Sequence, residues 1–143
     1  MQREKADLYS PFSSIFELTA QDFILKKQPK LKLPKNKPNP EYPQISHPNF
    51  KNVGSALVFF YAPWCGRCQK MTQSMSELAI QFKYIFPIGA VNCENEKNYP
   101  LCNSFQIEGF PTIFYKTPKN TLELYTGENN KDEILKFIYE NTL

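Results

Sequence analysis

The sequence predicts an α/β domain in which a central mixed β-sheet is flanked by helices. Residues 56–61 are six consecutive apolar or aromatic side chains, which is typical of a strand buried on both faces. The apolar side chains after residue 64 follow the helical period instead. Two short strands near the C-terminus flank turn residues 117–120 and indicate an antiparallel hairpin, so the predicted sheet contains both strand orientations.

The chain has the size of a single domain, with 143 residues. Its hydrophobic content of 41% supplies a core that needs no disulfide for stability. Apolar runs stay shorter than the ~18 residues of a membrane-spanning helix. Residues 1–14 mix charged and polar side chains and lack the apolar segment of a signal peptide. We expect a monomer, either alone or as one domain of a larger protein.

The charge of the chain is unevenly distributed. The net charge is +3, yet residues 49–143 contain nine basic and nine acidic side chains. A nucleic-acid interface needs a basic surface. The neutral compact part therefore argues against nucleic acid as a partner.

The chain is predicted to begin with an extension and one βα unit. Residues 15–18 predict a short strand, and Thr19 is a residue type that caps helices, here a helix over residues 20–27. We therefore place an N-terminal extension at residues 1–14 and the folded domain at residues 15–143.

A segment rich in lysine and proline follows this predicted helix. From the end of that helix to residue 48, the chain contains six lysines and six prolines: Lys26, Lys27, Lys30, Lys32, Lys35, Lys37, Pro29, Pro34, Pro38, Pro40, Pro43 and Pro48. Because proline has no backbone donor for helices or sheets, the composition predicts a loop insertion at about residues 28–49. Its lysines are interpreted as solvated, and docking of an acidic partner is the alternative.

The remaining elements alternate between helices and strands. One apolar stripe on a helix predicted over residues 64–84 is interpreted as facing the core, and it comprises Met71, Met75, Leu78 and Phe82. We also predict strands at 86–91, 112–115 and 122–125 and helices at 99–105 and 132–140.

A C-x-x-C motif lies where the buried strand meets the long helix. Trp64 precedes Cys65-Gly66-Arg67-Cys68, and this spacing brings two sulfurs together across one helical turn. Free backbone N–H groups at a helix start favour a thiolate, so we predict that Cys65 is the accessible nucleophile. Cys68 is predicted to be protected and to resolve the mixed disulfide. Trp64, Gly66 and Arg67 are candidates for tuning the pair.

Two other interpretations of the motif are open. A zinc site commonly uses two C-x-x-C pairs, whereas Cys93 and Cys102 are spaced C-x8-C and the single histidine is His47. We therefore predict no metal. A purely structural disulfide is the second alternative, and the position at a helix start disfavours it.

The active-site segment resembles that of protein disulfide isomerase domains, which have the thioredoxin fold. Residues 60–68, Phe-Tyr-Ala-Pro-Trp-Cys-Gly-Arg-Cys, carry this resemblance, and residues 16–23 resemble the start of such domains. Gly109-Phe110-Pro111-Thr112 resembles their substrate-facing loop. Cys93 and Cys102 are most similar to cysteines in the thioredoxin domain of quiescin-type sulfhydryl oxidases. The resemblance covers residues 15–141 except the insertion.

The resemblance implies a thioredoxin fold and a thiol–disulfide oxidoreductase or isomerase that acts on disulfides of client proteins. It implies that Cys65 and Cys68 react without a cofactor, that Phe110 and Pro111 contact the client, and that the Phe110–Pro111 bond is cis. It also points to the endoplasmic reticulum lumen or the secretory pathway. The alternative is a chaperone-like, client-binding module without redox activity.

The other two cysteines are predicted to form a structural disulfide. Cys93 ends a predicted strand and Cys102 lies on the next helix, so a bridge between them is geometrically reasonable. Two buried free thiols are the alternative.

Three places depart from the pattern of protein disulfide isomerases. Arg67 stands where the family usually has histidine, and residues 128–130 lack an arginine that is often found there. Phe59, in the central strand, stands where the family usually has a buried carboxylate that accepts a proton. We expect slow turnover unless another carboxylate, Glu108 or Glu128, reaches the site.

Overall fold

Two β-sheets organise the part of the chain that the computed structural model describes, which comprises residues 5–9, 13–25 and 41–142. Seven strands lie in these ranges: β1 (Phe16–Leu18), β2 (Phe23–Ile24), β3 (Gln44–Ile45), β4 (Ala56–Tyr61), β5 (Ile88–Asn92), β6 (Thr112–Lys116) and β7 (Leu122–Leu124). The main sheet has the order β1-β5-β4-β6-β7. Strands β1, β5 and β4 run parallel, and β6 and β7 are antiparallel to their neighbours. The sheet is therefore mixed, as predicted.

Helices cover both faces of this sheet. They are α1 (Pro48–Lys51), α2 (Gly66–Gln81), α3 (Tyr99–Ser104) and α4 (Lys131–Glu140), and two 3₁₀ turns lie at Ala20–Asp22 and Glu96–Asn98. The predicted boundaries of β4 to β7 and of α2 to α4 lie within three residues of those observed. None of the helices in the described ranges combines the length and the apolar character that a bilayer span requires.

The central strand separates two hydrophobic clusters. All six side chains of β4 are buried, which explains the unbroken apolar run in the sequence. Leu57, Phe59 and Tyr61 face one cluster, which α2 and α4 cover, while Val58 and Phe60 face the other. The apolar stripe of α2 packs in the first cluster, as its helical spacing predicted.

The first predicted helix differs from the structure. Residues 20–22 form a single 3₁₀ turn, in which the Asp22 carboxylate accepts the Thr19 N–H at 2.9 Å. The chain then enters β2, where Phe23 is buried and pairs with Ile45 of β3. Pairing with a distant strand and burial of the Phe23 ring therefore replace the helix that Thr19 indicated.

The structure describes the C-terminal end of the predicted insertion. Residues 28–40 lie outside the described residues, whereas β3 and the first residues of α1 lie within the predicted range of 28–49. The lysine and proline segment consequently connects β2 to β3 and does not follow a helix. His47 caps α1 by accepting the Asn49 N–H at 3.2 Å.

Candidate active site

The two cysteines of the C-x-x-C motif lie at the start of α2, directly after the central strand. Both are free thiols. Cys65 is the N-cap of the helix, and its sulfur accepts the Cys68 N–H at 3.4 Å. The same thiol donates to the Phe110 carbonyl at 3.6 Å. The helix start therefore holds the Cys65 sulfur beside a backbone carbonyl of a second loop.

Both thiols of the pair are buried, so the structure does not place Cys65 in the accessible position that the sequence predicted. Cys65, at the helix start, is 9% exposed, and Cys68, inside the first turn, is 3% exposed. Burial raises the pKa of Cys68 to about 12, and its hydrogen bond with the Cys65 side chain acts in the same direction. A neutral, buried thiol cannot attack a disulfide until it loses its proton. Cys68 consequently needs a proton acceptor if it is to react near neutral pH.

Trp64 is fixed beside the pair by a carboxylate that the sequence did not indicate. Its indole N–H donates to Glu94 Oε1 at 2.6 Å, and its ring meets the Phe110 ring edge-on at 5.9 Å. Glu94 lies two residues after the end of β5, whose carboxyl end adjoins that of β4 in the parallel part of the sheet. Its position after a strand of the parallel sheet could have indicated Glu94 in the sequence, because functional side chains commonly lie at the carboxyl ends of such strands. The predicted tuning residues Gly66 and Arg67 are exposed.

The predicted client-binding residues lie next to the cysteine pair. The peptide bond between Phe110 and Pro111 is cis, as the resemblance implies. Phe110 and Pro111 are half-buried, and the Phe110 carbonyl is the group that contacts the Cys65 thiol. The structure therefore brings Cys65, Trp64 and this loop together at one end of the sheet.

The remaining two cysteines are joined to each other. Cys93 and Cys102 form a disulfide with a Cα–Cα distance of 6.0 Å. The bond connects the end of β5 to α3. It also removes both sulfurs as ligands for the zinc site that the sequence left open, because zinc binds thiolates.

Removal of this disulfide should weaken the fold. We expect Cys93→Ala/Cys102→Ala to lower the free energy of unfolding by about 2–3 kcal/mol, because the unfolded chain is no longer closed into a short loop. Urea denaturation without reductant measures the difference. The parent protein in excess reductant is the control and should show a similar loss. Equal stability of parent and variant in the oxidised state would contradict a stabilising role.

The structure does not support the alternative that Glu108 or Glu128 replaces the missing acid. Phe59 is 3% exposed and packs in the same cluster as the cysteine pair, whereas Glu108 and Glu128 are exposed. The partly buried carboxyl on that side of the sheet is instead Glu17 of β1, which accepts a hydrogen bond from the Tyr61 hydroxyl. The sequence could have indicated Glu17, because it is a charged residue inside an otherwise apolar strand.

Comparisons with known proteins agree with this fold. A mitochondrial thioredoxin domain-containing protein of Schizosaccharomyces pombe is 31% identical over 107 residues, which cover 68% of this chain and 30% of that protein. Protein disulfide-isomerase 1 of Dictyostelium discoideum is 36% identical over 101 residues, which cover 66% and 28%, respectively. The solved J-Trx1 fragment of ERdj5 superposes with a TM-score of 0.55 and 25% identity, over 62% of this chain and 43% of that one.

The matches to these relatives cover only part of each relative, whereas the match to a family model covers most of this chain. The chain spans less than a third of the length of these two curated relatives. The sequence model of the thioredoxin family, in contrast, matches residues 44–140, which is more than half of the chain. With this match and the observed sheet order, the chain belongs to the thioredoxin family.

Proposed function

We propose that this protein is a thiol–disulfide oxidoreductase or isomerase that exchanges disulfides with client proteins through Cys65 and Cys68. The observation that carries the proposal is the pair of free thiols at the start of α2, with Cys65 against the Phe110 carbonyl. Relatives named protein disulfide-isomerase support this class of activity. No cofactor is needed, because the cysteine pair itself carries the two electrons.

The reaction consists of two exchange steps. In the first, the Cys65 thiolate attacks one sulfur of a client disulfide, a mixed disulfide forms, and the other client sulfur leaves as a thiolate. In the second, Cys68 loses its proton and its thiolate attacks the Cys65 sulfur. The Cys65–Cys68 disulfide forms, the client leaves as a thiolate that takes up a proton, and two electrons have passed to the client. The reverse sequence oxidises a client dithiol.

Trp64, Phe110 and Pro111 form the surface that would receive the client. The backbone groups of the Phe110–Pro111 loop lie beside the Cys65 sulfur, and the Cys65 thiol contacts the Phe110 carbonyl. An extended client segment can pair with such groups as an added β-strand does. The Trp64 ring, which is 36% exposed, and the Phe110 ring that it meets edge-on supply apolar contacts near the reacting sulfur.

Trapping a client tests the proposal. We expect Cys68→Ala to accumulate mixed disulfides between Cys65 and client cysteines, because the resolving thiol is missing and the second step cannot occur. The variant is incubated with insulin near neutral pH, and adducts are detected on non-reducing gels and by mass spectrometry. The control, Cys65→Ala/Cys68→Ala, should form none. If Cys68→Ala forms no adduct, the protein is instead the client-binding module without redox activity.

We propose that the protein works in an oxidising compartment of the secretory pathway. The Cys93–Cys102 disulfide supports this location, since structural disulfides persist mainly in oxidising compartments. Relatives named protein disulfide-isomerase support it, although the name of the relative from Schizosaccharomyces pombe places that protein in mitochondria. Imaging the full-length protein with markers for both organelles distinguishes the two locations.

A further inference from the structure

A partly buried carboxyl shares the sheet face on which the cysteine pair packs. Phe59 of β4, Ala90 of β5 and Glu17 of β1 are aligned in one row across the parallel strands. Residues in one such row point to the same face of a sheet. Glu17 therefore lies two strands away from Phe59, on the face that contacts Cys68.

Two tyrosines occupy the space between Glu17 and the cysteine pair. The Tyr61 hydroxyl donates a hydrogen bond to Glu17 Oε1. The Tyr9 ring packs edge-on against the Tyr61 ring, with 5.7 Å between centroids. Tyr9 is 6% exposed and belongs to the hydrophobic cluster that contains Cys68. Its hydroxyl hydrogen-bonds with the side chain of Thr72, one helical turn after Cys68, and the Thr72 hydroxyl in turn donates to the Cys68 carbonyl at 3.1 Å. The Tyr9 hydroxyl therefore reaches α2 beside Cys68, where the Cys68 thiol and the Glu17 carboxyl both act on it electrostatically.

The segment that carries Tyr9 is fixed to the sheet by polar contacts. The Asn92 side-chain amide donates to the Lys5 carbonyl and to Asp7 Oδ1, each at 2.9 Å. The Leu8 N–H donates to the Tyr61 hydroxyl at 3.2 Å. Residues 5–9 and β1 thus close one side of the site, although both lie outside the range that the family model matches.

The environment of Glu17 tunes its protonation. Burial raises the pKa of Glu17 to about 8, the hydrogen bond from Tyr61 opposes this rise, and the Asp7 carboxylate adds to it. The titratable groups that face it are Tyr61 of β4, Asp7 and Tyr9 of the N-terminal segment and, beyond Tyr9, Cys68 of α2. A carboxyl with this pKa exists in both protonation states near neutral pH, so it can accept a proton and return it.

We propose that Glu17 exchanges a proton with Cys68 through the Tyr9 hydroxyl, in place of the buried acid that Phe59 replaces. The inference rests on the proposed disulfide exchange. Cys68 gives its proton to the Tyr9 oxygen, and Tyr9 gives its own proton to the Glu17 carboxylate. The Cys68 thiolate then attacks the mixed disulfide, and the client leaves as a thiolate that is protonated by water. In the reverse direction, protonated Glu17 returns the proton to Cys68 by the same route.

The two exchange steps can be observed separately with dithiobis(nitrobenzoate). When reduced full-length protein reacts with one equivalent, the attack of Cys65 releases a first nitrothiobenzoate and the attack of Cys68 on the mixed disulfide releases a second. Glu17→Gln keeps an acceptor for the Tyr61 hydroxyl and removes the titrating group. We expect the first phase to be unchanged and the second to slow by about tenfold or more at pH 7. The second-phase rate of the parent should rise with pH through a step near pH 8, and the variant should lack that step.

Two further variants complete the test. Tyr9→Phe keeps the ring and removes the hydroxyl, so it should also slow the second phase. If Glu17→Gln does not fold, the second-phase rate of Tyr9→Phe tests the proposed proton transfer. Glu123→Gln, an exposed carboxylate on β7, is the matched control and should leave both phases unchanged. If the folded Glu17 and Tyr9 variants keep the second-phase rate and pH profile of the parent, the inference is overturned. If the parent shows no first phase, the proposed function itself is overturned.

Discussion

Cys65→Ser should reduce the protein-catalysed reduction of insulin by dithiothreitol to the uncatalysed rate. The expected loss is roughly 10³-fold or more in rate, or about 4 kcal/mol of transition-state stabilisation. The thiolate is the attacking group, and a serine hydroxyl does not ionise appreciably at neutral pH. Cys68 cannot substitute for it, because burial raises the pKa of Cys68 to about 12 and leaves that side chain 3% exposed. The turbidity of released insulin chains measures the rate.

The local structure makes this variant a clean test of the nucleophile. Cys65 caps α2 by accepting the Cys68 N–H, and serine is among the preferred residues at this position. The variant should therefore fold at least as stably as the parent. Cys65→Ala is the matched control: it should lose the same activity and also about 1 kcal/mol of stability, because it has no acceptor. If Cys65→Ser retains more than about a tenth of the parent rate, another group makes the first attack.

The centre of the site could be predicted because its signals are local. Six apolar residues in a row indicate a buried strand, and the stripe that begins at Met71 indicates a helix directly after it. The junction between the two then places Cys65 at a helix start without further information. The structure shows this arrangement, with Cys65 as the N-cap of α2.

The start of the domain could not be predicted equally well, because its structure depends on a distant pairing. Thr19 and Asp22 have residue types that favour a helix start, and a single 3₁₀ turn satisfies the same preferences. The partner that makes a strand of Phe23 is Ile45, on the other side of the lysine and proline segment. No local pattern around Phe23 contains that information.

The groups beneath the cysteine pair were missed for a related reason. The resemblance directed attention to Phe59, the position where the family usually has its acid, and the structure places a carboxyl in another strand. The burial of Glu17 depends on how Tyr9 and the rest of residues 5–9 pack against the sheet. Nothing in the composition of that segment distinguishes it from a solvated extension.

Phe59→Glu should lower the free energy of unfolding by about 3–5 kcal/mol at pH 7, since it removes a buried ring and buries a carboxyl without a partner. Phe59 is 3% exposed and shares its row on the sheet with Glu17. Burial disfavours the ionised form of the introduced group. Its folded-state pKa therefore lies above the unfolded value of about 4.3. The introduced carboxyl consequently destabilises least below about pH 4 and progressively more as the pH rises through that value.

Phe59→Gln separates the effect of charge from the effect of the lost ring. The glutamine variant also loses the ring and buries a polar group, but its side chain does not titrate, so its deficit relative to the parent should not change with pH. Urea denaturation of the parent and both variants between about pH 4 and pH 8 measures the free energy of unfolding of each protein. All three proteins contain Glu17, so its titration largely cancels in the differences between them. The glutamate variant should match the glutamine variant at the acidic end and fall below it towards pH 8. Parallel curves for the two variants would show that position 59 can hold a charge at no cost, which contradicts the buried, apolar environment of Phe59 in the structure.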